Sequence, residues 1–186
     1  WELIIVDDCS TDNSRALLRQ YELDYPEKIK IIFAETNSGP SISSNRAMLA
    51  AQGEYIALLG SDDMMHPERL AKQVDFLQKN PAYPLLFTEV FVIDDQATPE
   101  SVKTEPVLYK HPVFSTPIDN IRSQLIRSNF LNAPSVLMHR KLIDEVGLFN
   151  PELIYVQDFD YWMRVLDRYE VYRMEEALTF YRVHGK

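Results

Sequence analysis

The chain has 186 residues, and 19 Lys and Arg against 28 Asp and Glu leave a net charge of −9 at pH 7. That length suits one domain with a sizeable core, and 46% hydrophobic with 25% charged residues excludes disordered and fibrous classes. The acidic balance excludes a phosphate-backbone binder, which needs a basic face to displace counterions, so no nucleic-acid partner is expected. Cys9 is the single cysteine, which precludes an internal disulfide and fits a reducing, cytoplasmic compartment. No apolar run approaches the ~18 residues of a spanning helix, and no signal peptide is visible. The sequence opens on Trp1 inside an apolar run and reads as a fragment whose natural start lies upstream.

Strands and helices alternate through the first half. Leu3-Ile4-Ile5-Val6, closed by Asp7-Asp8, predicts a strand buried on both faces. Ser10 or Asp12 can cap a following helix whose inner face carries Ala16, Leu17 and Tyr21. A second strand spans Ile29 to Ala34 and ends at the turn Asn37-Ser38-Gly39-Pro40. A helix from about Ile42 to Ala51 stops at Gly53, and Tyr55 to Leu59 is a third strand. Pro67 suits the first turn of a helix with Leu70, Val74 and Leu77 inward. Leu85 to Ile93 is a long apolar strand. This alternation predicts an α/β fold with a largely parallel sheet.

The second half is less regular. Asp94 to Pro117 carries Pro99, Pro106, Pro112 and Pro117 and predicts a long surface excursion of the kind that often bears function. Ile118, Ile121 and Leu125 mark a helix, and Ser135 to Met138 a short strand. A helix from about Arg140 to Val146 ends at Gly147. Another spans about Asp158 to Tyr169, followed by two strand-like pieces, Val171-Tyr172 and Leu178 to Val183. With no repeat or low-complexity segment, residues 1–186 read as a single domain.

Ligands in open α/β sheets bind beyond the carboxyl ends of the strands. Two acidic pairs stand there, Asp7-Asp8 and Asp62-Asp63. Carboxylates gathered at neighbouring strand ends repel unless a cation or a donor-rich ligand lies between them, and Mg²⁺ or Mn²⁺ suits such oxygen ligands. The alternative is that these acids only end strands and cap helices.

Ile4 to Asp12, with Asp7-Asp8-Cys9-Ser10-Thr11-Asp12, resembles the second-strand signature of family 2 glycosyltransferases of the GT-A fold. Gly53 to Asp63, with Pro67 and Leu70 behind it, resembles that family's strand and D-x-D segment. Val146-Gly147-Leu148-Phe149 and Gln157 to Arg164 are similar to the late G-x-F and E-D-x-D-x-x-x-R stretch, and Tyr181 to His184 to the closing strand and histidine. The ordered set covers nearly the whole chain. The resemblance implies a GT-A, Rossmann-like mixed and mostly parallel sheet with helices on both faces, lacking the family's first strand. Residues 1–95 or so would then form a nucleotide-sugar half, and about 96–186 an acceptor half.

The resemblance also assigns roles. Asp7, Asp8, Ser61 and Asp62 would meet the donor, a nucleotide-diphosphate sugar with UDP favoured, and Asp8 would accept a hydrogen bond from the base. Asp62, with Asp63 in a lesser place and His184 completing the site, would hold Mn²⁺ or Mg²⁺ for leaving-group stabilisation. Asp158 would be the base that deprotonates the acceptor, a carbohydrate or lipid-linked hydroxyl, in an inverting transfer at the cytoplasmic face of a membrane. Asp158 and Asp160 diverge by about 200° on a helix, so one is expected toward the cleft and the other toward solvent or capping the helix. Trp162 and Arg164 either wall the acceptor site or, for Trp162, belong to the core.

Departures accompany the match. Gly60 replaces the first acid of D-x-D, Gln157 replaces the usual glutamate, and Ser43-Ser44-Asn45 precedes a displaced Arg46. Two other functions remain open on the sequence: a non-catalytic nucleotide-sugar binder, and a Mg²⁺-dependent phosphohydrolase-like domain. The phosphohydrolase would need a lysine after a buried strand, which this chain lacks.

Overall fold

A computed structural model describes residues 1–103, 107–109 and 120–184. The chain divides into two compact units, Trp1–Ile56 with Arg140–Tyr161, and Ala57–His139 with Trp162–Lys186.

In the first unit β1 (Leu3–Asp7) and β2 (Ile29–Phe33) pair in parallel, from Leu3 beside Ile29 to Asp7 beside Phe33. Expected to be buried on both faces, β1 instead has Leu3 exposed and Ile4 to Val6 half-buried. In a two-stranded sheet each strand keeps an open edge. Helix α1 (Ser14–Asp24) follows, and its start is closed by Asp12, whose Oδ1 accepts the Ser14 N–H at 2.9 Å. Its predicted inner face is wrong: Ala16, Leu17 and Tyr21 are exposed, and Arg15, Leu18 and Glu22 turn inward. Polar side chains hold that face because they have backbone partners. Arg15 Nη2 donates to the Ala34 carbonyl at 2.6 Å, and Glu22 Oε1 accepts the Ile31 N–H at 2.8 Å.

Helix α2 (Pro40–Ala50) starts two residues before the predicted Ile42, because Pro40 at its first turn brings a preset φ. Gly39 before it has φ 85°, a conformation that favours glycine. Strand β3 (Tyr55–Ala57) is shorter than Tyr55 to Leu59, and α5 (Lys141–Glu145) ends as expected at Gly147, with φ 96°. Gly147 donates its N–H to the Leu142 and Ile143 carbonyls at 3.2 and 3.1 Å, a helix-ending pattern. Helix α6 (Gln157–Leu166) begins in this unit.

The second unit is built around β5 (Leu85–Ile93), the long apolar strand of the sequence. It pairs in parallel with β8 (Tyr172–Arg182), and antiparallel with β6 (Val107–Tyr109) and β7 (Leu137–His139). Strand β4 (Met64–Met65), which no sequence pattern indicated, pairs antiparallel with β8. The sheet is therefore mixed, with more antiparallel pairing than the strand–helix alternation suggests. The two predicted strands after residue 170 are one strand. Its register against β5 jumps from Thr88–Met174 to Glu89–Ala177, and the exposed pair Glu175-Glu176 bulges out between the apolar halves.

Helix α3 (Arg69–Lys79) buries Arg69, Gln73 and Leu77, not the predicted Leu70 and Val74, which are half-buried. Arg69 Nη2 donates to the Val136 carbonyl at 2.9 Å and Nε to Gln73 Oε1 at 3.0 Å, while Gln73 Nε2 donates to the Ser135 carbonyl at 2.9 Å. The pair thus binds backbone carbonyls just before β7, that of Val136 alongside the Leu58 N–H. Helix α4 (Ile121–Arg127) is capped by Asn120, whose side chain accepts the Ser123 N–H at 3.1 Å. The core joins Leu85, Leu86, Phe87 and Val90 to Leu125, Leu137 and Trp162, all 1% exposed or less, so Trp162 belongs to the core. Of the expected excursion, Ser101–Lys103 forms a 3-10 turn; Pro106, Pro112, Pro117 and Ile118 lie outside the described residues. Among the described residues no helix is long and apolar enough to cross a membrane.

Candidate functional site

The acids after β1 are held by their own chain. The Asp7 side chain is 1% exposed and accepts Arg15 Nε at 2.7 Å and the Ser10 N–H at 3.3 Å. Both Asp8 oxygens accept the Ser38 N–H at 3.0 Å; Oδ1 also accepts Ser38 Oγ at 2.7 Å, and Oδ2 the Gly39 N–H at 2.7 Å. Asp8 therefore closes the turn that starts α2, and a base N–H reaches it only by sharing those oxygens. Arg46 donates to Ser38 Oγ at 3.1 Å from the same turn. Asn45 has a structural task that the sequence did not reveal. Its amide donates to the Phe149 carbonyl at 2.8 Å and accepts the Phe149 N–H at 2.9 Å, anchoring the loop after α5.

Burial pushes both carboxyls up, but the hydrogen bonds from Ser10 and Arg15 to Asp7, and from Ser38 and Gly39 to Asp8, outweigh it and hold both below the ordinary carboxylate value. Their stabilisation is present above the unfolded value, about 3.9, and is lost as pH falls through the lower folded value. Melting temperature is thus expected to drop on acidification below about pH 4, more steeply in the parent than in Asp8→Asn. An Asn amide would also set its NH₂ against the Ser38 and Gly39 donors, so the variant should melt lower near neutral pH. An acid profile unchanged by Asp8→Asn would contradict this role.

The second unit gathers the other acids. Asp62 and Asp63 stand in the turn after β3, with Ser61 exposed beside them. A Cβ on Gly60 would lie 2.7 Å from Asp63 Oδ2 and 2.8 Å from Asp62 Oδ1. The two carboxylates lie over the bare Cα, so a side chain at position 60 would require them to turn aside. Burial pushes the Asp63 carboxyl up and the negative charge of Asp62 adds to it, while the Arg182 N–H, donated to Asp63 Oδ1 at 2.8 Å, pulls it down. Desolvation brings Arg69 down to about 10, with the charge of Asp63 opposing.

His184 stands against Asp62. Its Nε2 is 2.9 Å from Asp62 Oδ2 and its Nδ1 2.5 Å from Asp95 Oδ1, and these carboxylates raise the imidazole pKa. Arg182 ties the cluster together by donating Nε to the Asp62 carbonyl at 2.8 Å, Nη2 to the Ala97 carbonyl at 3.1 Å, and Nη1 to the Asp94 carbonyl. Sequence reasoning missed Asp95 and Arg182. The visible signal was Asp94-Asp95, a third acidic pair at the end of an apolar run. Among the described residues no three His, Cys, Asp or Glu side chains form a ready metal cluster. A hard divalent cation needs none, since one or two carboxylates with water and phosphate oxygens fill its shell. The converging Asp62 and Asp63 oxygens fit such an ion.

Asp158, in the first turn of α6, accepts the Phe159 N–H on its Oδ1 at 2.7 Å. Asp158 and Asp160 are both half-buried, so exposure does not separate them. Gln157 Oε1 is buried without a hydrogen-bond partner among the described residues.

The model of the family described as "Glycosyl transferase family 2" matches residues 1–85. TuaG of Bacillus subtilis (strain 168), named as a teichuronic acid biosynthesis glycosyltransferase, is 31% identical over 184 residues, which cover 98% of this chain and 68% of TuaG. The chain belongs to glycosyl transferase family 2. Among solved structures of lower identity, S. aureus TarS 1-349 in complex with UDP aligns with a TM-score of 0.70 at 23% identity, over 98% of this chain and 51% of TarS. The mannosyltransferase PcManGT from Pyrobaculum calidifontis, in complex with GDP-Man and Mn²⁺, aligns with a TM-score of 0.69 at 16% identity over 97% of this chain and 47% of its own. These likenesses give this family 2 chain the GT-A fold. The chain spans about half the length of both solved structures.

Proposed function

We propose that this family 2 glycosyltransferase transfers a sugar from a nucleotide-diphosphate sugar to an acceptor hydroxyl, inverting the anomeric carbon. The observation that carries the reading is the contact of His184 Nε2 with Asp62 Oδ2 at 2.9 Å, from positions 122 residues apart, in a member of this family. A UDP-sugar is the favoured donor, because TarS was solved with UDP. The name of TuaG favours a cell-envelope polysaccharide or its lipid-linked precursor as acceptor. A soluble-side reaction at the membrane face follows from that acceptor.

Asp62, with Asp63 beside it and His184 against it, would hold Mn²⁺ or Mg²⁺. Bound there, such a cation neutralises charge on the departing diphosphate. The Ser38-Gly39 turn braced by Asp8, with Ser61 on the other acidic turn, would contact the donor. Asp158 would take the acceptor proton as the hydroxyl attacks.

The test is a panel of UDP-, GDP- and TDP-sugars with and without Mn²⁺, scored for nucleotide diphosphate release and for thermal stabilisation. The expected result is metal-dependent release with at least one donor. Stabilisation without release would instead establish a binder, and release of inorganic phosphate a phosphohydrolase.

A further inference from the structure

We infer that Asp95 is a positioning residue that aims the His184 ring at Asp62. The inference rests on reading Asp62 and His184 as the cation-holding pair, and it adds a residue to which neither the sequence pattern nor the family match gives a role.

The geometry starts from strand register. Parallel pairing of β5 with β8 sets Ile93 beside Arg182, and the Val183 N–H donates to the Ile93 carbonyl at 2.9 Å. Carried two residues on, the same register sets Asp95 beside His184. The turn bearing Asp95 is itself fixed. The Gln96 N–H donates to Asp94 Oδ1 at 2.9 Å, and Arg182 holds the Asp94 and Ala97 carbonyls with the guanidinium whose Nε reaches the Asp62 carbonyl. Arg182 thus locks three segments at one spacing: the Asp62 turn, the Asp95 turn and the end of β8. Within that frame His184 has one carboxylate on each ring nitrogen.

An imidazole with a carboxylate on Nδ1 keeps its proton there and presents Nε2 outward, which fixes both tautomer and ring angle at metal-binding histidines. Here Nε2 points at Asp62. Without Asp95 the ring, on a side chain 60% exposed, would keep its Asp62 contact alone, with nothing to hold the proton on Nδ1. Asp95 is 44% exposed itself, so its replacement should leave folding intact.

Two readouts on the full chain test this. In the absence of any cation and at one fixed pH, long-range ¹H–¹⁵N spectra of the His184 ring should show Nδ1 protonated in the parent and in Asp95→Asn, whose amide oxygen still accepts that proton. In Asp95→Ala the proton should move to Nε2, the nitrogen that still faces the Asp62 carboxylate. Mn²⁺ alone, titrated by electron paramagnetic resonance, should bind about 10–100-fold more weakly to Asp95→Ala, with most of the affinity kept in Asp95→Asn. An unchanged ring spectrum in Asp95→Ala overturns the inference. An Asp62→Asn variant that binds Mn²⁺ as the parent does overturns the cation-holding reading instead, while the ring spectrum still decides the role of Asp95.

Discussion

Asp62→Asn is expected to lower metal-dependent turnover by about 10²–10³-fold, the scale of a lost electrostatic contact to a developing charge. Asn keeps the volume of Asp and still offers Nε2 of His184 a hydrogen-bonding amide, so the turn and the histidine should stay in place. What disappears is the negative charge that a divalent cation requires. Asp63→Asn should cost about tenfold or less, because burial already works against the Asp63 charge and its amide oxygen would still accept the Arg182 N–H. The measurement is nucleotide release against Mn²⁺ concentration for parent and both variants. Asp62→Asn should shift the Mn²⁺ dependence to higher concentration as well as lowering the plateau. Equal losses in the two variants, or none in either, would remove the leaving-group role from Asp62.

The residues that were legible in advance share a physical simplicity. Leu85 to Ile93 read as a strand because a run so largely apolar, interrupted only by Thr88 and Glu89, calls for burial, and most of β5 is buried. Gly147 read as a helix end because positive φ favours glycine, and the structure gives it φ 96°. The misreadings come from places where polar side chains do the work of apolar ones. Arg69 and Gln73 occupy the inner face of α3 because backbone carbonyls accept from them there, and a count of apolar spacing passes over them. Glu175-Glu176 splits the apolar pattern of β8 without splitting the strand. In the site, Asp62 was legible as half of an acidic pair at a strand end, whereas His184 was reached only through the order of family motifs, since nothing local links residues so far apart. Asp95 stayed hidden for a related reason. Its partner is set by the parallel register of β5 and β8, which hydrophobic periodicity does not specify.

Asp158→Asn should cut kcat by about a hundredfold or more, the scale of general-base catalysis, while the KM for the donor stays nearly unchanged. The split follows from the role: a base acts on the acceptor hydroxyl and contributes nothing to the grip on the diphosphate. Asn at 158 can still accept the Phe159 N–H that Asp158 Oδ1 takes, so the first turn of α6 should persist and the loss be chemical. The comparison with Asp160→Asn is sharper than the sequence suggested. Both carboxylates are half-buried on this helix, so exposure does not tell them apart, and direction alone does. Turned about 200° from Asp158, Asp160 cannot address the same hydroxyl, and its replacement should leave kcat within a fewfold of the parent. Melting temperatures of the two variants provide the control, because a burial-driven loss would appear in both. Retained turnover in Asp158→Asn with loss in Asp160→Asn would move the base by one helix face. Retained turnover in both would exclude either acid as the base and make a retaining or base-free transfer the better account.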